Sequence, residues 1–489
     1  VGRHAEQGRV AGAYDAVAYP GAAFPSTHPD RLAVQAVLFG LRPASPGACR
    51  VLEIGCGDGG NLIPMALELP RSELVGVDLA ARGIEAGTAV AAELGADNLR
   101  LLRADVQALP EELGTFDYVI AHGVYSWVPP EPRDALLAAC ARHLAPHGVA
   151  FVSYNAYPGS YLRDMSRDML RFHVAGLAEP ADRVAQARAL IDVIVDADAD
   201  TPYARVLREQ LERVRERTDA VLFHDDLADV NTPVYFHEFM HHAQRHRLQF
   251  LAEAHLSDSR LPPVPAHVAA ALARLPDDVI VREQYLDFVR NRMFRQTLLC
   301  RGDAPVRRAL RADDLATLWV AAELETDADA TAIEGDGFVR FAGASSSWVE
   351  TDDRAYKRAL DRLRRAWPAA IRFSELAGER PQRLGEAMIE AHASRLVELH
   401  VRPPAVATEA GERPEAPAPA RRQAARGEDR VVNLRHETVS LEDEDARALV
   451  ARLDGTRDRA ALARELGGVT AEAVDDALVR LVRLSLLCA

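Results

Sequence analysis

The sequence predicts an α/β protein: a doubly wound parallel sheet, then a helical middle domain, then C-terminal winged-helix-like modules. Three observations predict it. Short apolar segments alternate with helical patterns over residues 28–160, as strands joined by crossover helices do. A glycine-rich turn, Gly55–Gly60, directly follows the first apolar segment. The second apolar segment ends on an acid, Asp78.

Residues 1–27 carry Tyr14, Tyr19, Pro20 and Pro25 without a clear period, and read as a lid segment ahead of the sheet. A helix is expected from Pro29 to Phe39. Strands are expected at Arg50–Ile54, Leu74–Val77, Leu99–Leu102, Tyr118–Ala121 and Gly148–Ser153, with helices at Asn61–Leu69, Ala80–Leu94 and Glu131–Leu144 between them. Residues 161–304 read as a helical domain, with long helices up to 221, then Asn231–Arg247, Ala266–Leu275 and Gln284–Leu299. Residues 305–401 read as winged-helix-like, with a strand pair near Phe338–Phe341 and Trp348–Thr351 followed by the helix Arg354–Trp367. Residues 402–429, rich in Pro, Ala, Glu and Arg, read as a linker too polar to bury. Residues 430–489 recover helical periodicity and form a small module.

Composition narrows the class. A chain of 489 residues with 48% hydrophobic and 27% charged residues is globular and long enough for several cores. The net charge of −15 makes nucleic acid a poor partner, since phosphate is met by clustered Lys and Arg. The five cysteines are scattered and form no CxxC pair, which argues against a disulfide framework or a thiolate zinc site. No apolar run is long enough to span a membrane, and Val1–Arg9 is polar rather than leader-like, so a soluble cytoplasmic protein is expected. The oligomeric state is left open.

The chemistry begins at Val51-Leu-Glu-Ile-Gly-Cys-Gly-Asp-Gly-Gly60. Glycines let backbone bend sharply and approach a ligand without a Cβ in the way. The helix that follows presents unpaired N–H groups to a carboxylate. Asp78, about 20 residues on, sits where a Rossmann-like unit binds ribose hydroxyls. The dinucleotide fingerprint is G-x-G-x-x-G. Here the spacing is G-x-G-x-G, with Glu53 two residues before the first glycine. That spacing resembles class I methyltransferases. The resemblance implies S-adenosylmethionine as cofactor and S-adenosylhomocysteine as product. It implies a cofactor site formed by Glu53, Gly55, Cys56, Gly57, Gly59, Asn61, Asp78, Leu79, Asp105, Val106 and His122, with Asp105 facing the adenine amino group.

The stretch Phe116–Pro130 follows the fourth strand, so His122 to Trp127 lie at the carboxyl edge of the sheet, where open α/β sheets bind ligands. His122 is the best candidate base. Tyr125 and Trp127, with Tyr154 and Asn155 after the fifth strand, are candidates to shape an acceptor pocket, because aromatic faces suit amines. Tyr14 is expected to face the sulfonium, with Tyr19 on the acceptor and His28 near the methionine part. Methyl transfer asks the protein mainly to align the acceptor and exclude water.

Further segments carry a more specific resemblance. Tyr14-Asp15, Tyr19-Pro20, Phe24-Pro25, His28-Pro29, Leu52–Pro64, His122–Pro130 and Ser153-Tyr154-Asn155 do so, as do Tyr235-Phe-His-Glu-Phe239 and Tyr285–Gln296. Together they resemble bacterial class I methyltransferases with a methyltransferase regulatory domain. That family includes protein lysine methyltransferases acting on outer-membrane proteins. The resemblance implies N-methylation of a protein or peptide, with lysine favoured. A small-molecule N- or O-methyltransferase and a non-catalytic cofactor-binding regulator are the alternatives.

His237-Glu-Phe-Met-His241 matches the zinc-peptidase pattern H-E-x-x-H. The same His-Glu belongs to the regulatory-domain pattern, so the histidines are read as hydrogen-bonded at a domain contact and no metal is expected.

Overall fold

The alternation of β1 (Arg50–Ile54) shows how the central sheet is built: Val51 enters one core while Leu52 and Ile54 enter another. Both faces are covered, as expected for parallel strands with near-continuous apolar runs. The structure, a computed structural model, describes residues 12, 16–17, 19, 21–197, 200–344, 346–378, 381–441, 443–467 and 469–489. Tyr14 lies outside the described residues.

Helix α1 (Pro29–Leu38) precedes β1. Then follow α2 (Leu62–Glu68), β2 (Glu73–Asp78), α3 (Ala81–Leu94), β3 (Leu99–Arg103), β4 (Phe116–Ala121), α4 (Pro130–His143) and β5 (Leu144–Asn155). The helical middle segment contains α5 (Ser160–Val174), α6 (Pro180–Val195), α7 (Pro202–Arg215) and α8 (Phe236–Arg245). It is followed by β6 (Leu248–Glu253), the helix α9 (Val279–Arg290) and β7 (Phe294–Arg301). The sheet has seven strands in the order β3-β2-β1-β4-β5-β7-β6. Strand β7 runs antiparallel to both β5 and β6.

Gln284–Leu299 is therefore not one helix. Asn291 adopts a left-handed conformation (φ 47°) that ends α9. Beyond it the chain pairs with β5, placing Phe294 opposite Asn155. The turn is held by buried charge: Arg295 donates to Asp287, Glu253 and Glu283, and Arg292 pairs with Asp287. The middle segment thus supplies two strands of the sheet as well as helices.

Residues 305–401 carry two three-stranded sheets. Their Leu315, Val320, Phe341, Leu360 and Met388 share one continuous core with Val51, Tyr118 and Phe151 of the central sheet. Residues 402–429 are not a linker. Ala416, Ala420 and Ala424 are buried with Leu449, Leu462, Leu478 and Leu486 in the C-terminal core. Small side chains bury there without the apolar bulk that marks a core in sequence. The C-terminal unit also contains a two-stranded hairpin, Arg430–Val432 with Thr438–Ser440.

Candidate cofactor and acceptor site

The glycine loop joins β1 to α2 at the point where strand order reverses between β1 and β4, the usual ligand crevice of such sheets. Gly55 and Gly57 have φ of 79° and 55°, a region that favours glycine. A Cβ on Gly55 would lie 2.4 Å from Val124 Cγ2, whereas one on Gly57 would meet nothing within 4 Å. The loop is closed on the β4 side and open at Gly57.

Asp78 sets the shape of the loop. Its Oδ2 accepts from Gly57 N and its Oδ1 from Ala80 N, both at 2.8 Å. Each oxygen keeps a second lone pair for a ligand hydroxyl. Glu53 is buried. Its Oε1 accepts from Asn61 Nδ2 at 2.9 Å, and its Oε2 has no partner. Burial, with the Asp78 and Asp58 charges nearby, pushes Glu53 up to about 8. A buried carboxyl with an orphaned oxygen beside an open glycine fits a cationic ligand group. Asp105 follows β3, capping a short turn through Gln107 N. Leu79 and Val106 are half-buried beside these acids, and Cys56 is buried in the loop.

His122 lies at the end of β4, its Nδ1 3.1 Å from Ser153 Oγ, which accepts from Gly123 N. Its ring packs on Phe24 (4.0 Å between centroids), Phe151 and Phe294. Burial pushes this imidazole down to about 4. It is therefore neutral at physiological pH and a weak base.

The other expected acceptor residues are placed differently. Tyr125 is packed against Phe239 and Tyr154, with its hydroxyl 2.9 Å from His242 Nδ1. Tyr154 stacks on Phe239 and hydrogen-bonds Thr297. Both belong to the contact between the sheet and α8 rather than to an open pocket. Trp127 lies beneath the guanidinium groups of Arg163 and Arg167. Asn155 is buried and donates to Asn231. Tyr19 packs edge-on to His224, and burial together with Asp225 pushes its phenol up to about 12. His28 caps α1 and lies between Glu68 and His436.

Sequence reasoning missed Phe24, Phe294 and His436. Phe24 N donates to Asn61 Oδ1 and Thr27 also bonds Asn61, so residues 24–27 lie against the loop. His237 bonds Gln284, and Glu238 caps α8 through Tyr235 N.

Sheet, loop and acids define an S-adenosylmethionine-dependent methyltransferase of class I. A methyltransferase domain family matches residues 51–148, a family described as a predicted methyltransferase regulatory domain matches 218–301, and the PKMT C-terminal winged helix domain matches 412–479. The chain belongs to the bacterial methyltransferases that combine these three parts.

RP789 of Rickettsia prowazekii is 38% identical over 304 residues, covering 62% of this chain and 55% of that protein. The chain thus spans about half the length of that relative. RP028 of the same organism is 37% identical over 240 residues, covering 49% of this chain and 96% of that protein. The solved structure of PKMT2 from Rickettsia typhi is similar to this chain, with 27% identity and a TM-score of 0.85, covering 96% of this chain and 100% of that one. The same protein has been solved in complex with AdoHcy. No helix among the described residues is long and apolar enough to cross a membrane.

Proposed function

We propose that this chain methylates a side-chain nitrogen, lysine favoured, on a protein or peptide. The observation that carries the reading is an exposed aromatic surface beside the carboxyl edge of the sheet. Phe294 is 42% exposed yet touches His122, and Tyr161, Tyr285 and Phe288 are 52%, 42% and 49% exposed. Tyr235 joins Tyr161 to Phe288, and Phe288 packs on Tyr285. Exposed aromatic surface of this kind serves macromolecular contact, whereas a small-molecule site encloses its ligand. The likeness to PKMT2 supports the same reading.

The cofactor, when bound, supplies a methyl group on a sulfonium. Glu53, Asp78 and Asp105 would hold its amino, ribose and adenine groups. Neutral His122, fixed by Ser153, orients the acceptor rather than taking its proton. The lysine therefore has to lose its proton to water.

Transfer of labelled methyl from S-adenosylmethionine into cell extract, separated by size, tests the proposal. Label in protein that collapses to lysine derivatives on hydrolysis is the expected result. Label confined to small molecules would replace this acceptor class with the small-molecule one, and binding without transfer would favour a regulatory protein.

A further inference from the structure

Helix α8 and the residue that caps its C-terminus place His242 and His246 four positions apart. Both meet α4, where Asp134 stands. His242 Nε2 and His246 Nε2 each lie 2.9 Å from the same oxygen, Asp134 Oδ1. One donor atom from each of the three side chains lies within 4.8 Å of the other two. We propose that Asp134, His242 and His246 form a binding site for a zinc-class divalent ion, joining the catalytic sheet to the regulatory segment. This proposal is independent of the acceptor reading above.

The chemistry of the donor set supports it. Two imidazoles and a carboxylate suit borderline divalent ions, and zinc accepts three protein ligands with an open fourth position. With both Nε2 atoms directed at one oxygen, each imidazole presents its Nε2 side to the same point. An ion seated between the two Nε2 atoms and Oδ1 takes the place of the two N–H protons, each ring carrying its proton on Nδ1 instead, and the donors settle at about 2.0–2.2 Å from it. The outer shell is also present. Tyr125 Oη lies 2.9 Å from His242 Nδ1 and can accept its N–H once Nε2 binds metal. Asp134 is 52% exposed, so the fourth position faces water and an ion has a route in. One cation competes for the carboxylate: Arg245 approaches Asp134 Oδ1 at 3.3 Å. Its side chain is 59% exposed, so water screens that contact.

The zinc-peptidase pattern in the sequence is not this site. His237 is held by Gln284, and Glu238 is committed to the cap of α8. The ligand pair lies further along the chain, His242 in the last turn of α8 and His246 at its C-cap. Tyr125 lies in the loop that begins at His122. An ion at this position therefore fixes the regulatory helix against the loop bordering the methyl-transfer site.

Full-length, tag-free protein stripped with chelator and titrated with ZnCl2 by calorimetry tests the site. Saturable binding of one ion per chain is expected, with a raised thermal midpoint and no response to MgCl2. Asp134→Asn and His246→Gln should each weaken binding about tenfold or more, Tyr125→Phe should weaken it about tenfold, and His237→Gln should leave it unchanged. Cobalt titration gives a second readout, with visible bands expected in the wild type and lost in His246→Gln. Circular dichroism and retained cofactor binding confirm that each variant is folded. Absence of saturable zinc binding in the wild type overturns the proposal. So does equal affinity in Asp134→Asn and His246→Gln, or loss of binding in His237→Gln.

Discussion

His436 Nε2 lies 2.8 Å from Asn61 Oδ1, so a residue in the turn of the C-terminal hairpin holds the side chain that holds Glu53. Both residues are buried, and burial keeps the His436 imidazole well below its ordinary range and neutral. The C-terminal unit thus reaches the cofactor site through one intermediate residue. His436→Ala should weaken S-adenosylmethionine binding about fivefold, as expected for one lost hydrogen bond of about 1 kcal/mol. Calorimetry on the folded variant checks this.

Asp78 shapes the glycine loop as well as offering oxygens to a ligand. Asp78→Ala should lose about 1.5–3 kcal/mol of cofactor affinity, roughly ten- to a hundredfold. Unchanged affinity by calorimetry would remove Asp78 from the site.

Glu53, pushed up to about 8 by burial, is mostly protonated at pH 7 in the free protein. A cationic cofactor group beside it favours the charged form. Binding should therefore release up to about one proton near pH 7 and strengthen as pH rises toward 8. Calorimetry in buffers of different ionisation enthalpy measures the proton, and Glu53→Gln should abolish it.

His122 and His392 are both pushed down to about 4 by burial. Between about pH 6.5 and 4 the unfolded chain binds more protons at these sites than the folded one. Their contribution to stability is thus complete above about pH 6.5 and lost as pH falls toward 4. Each site should cost urea-unfolding stability about 2 kcal/mol between pH 7 and 5, about 4 kcal/mol for the pair. His122→Phe should flatten that slope.

The first five strands and the glycine loop were legible because their signals are local. Val51 and Leu52 alternate between cores, and Gly55, Gly57 and Asp78 stand at fixed spacing along one strand–turn–helix–strand unit. Strands β6 and β7 were not legible, because Phe294–Arg301 becomes a strand only by pairing with the edge of β5. The role of His436 had no sequence signal, since 375 residues separate it from Asn61. Tyr125 and Trp127 were correctly placed at the sheet edge, but their partners, His242 and Arg167, come from the middle segment and turn them away from an open pocket.

The seventh position in the sheet order is filled from a segment that begins 93 residues after β5 ends, at Leu248, and the strand between is complete only at Arg301. During synthesis the ribosome therefore delivers the whole glycine-loop half of the sheet long before its last neighbours. Until Arg301 has emerged, the outer side of β5 offers a row of unpaired backbone groups to any other strand. A nascent chain halted in the middle segment would be the form most exposed to aggregation, and the catalytic half has no natural stopping point short of residue 301.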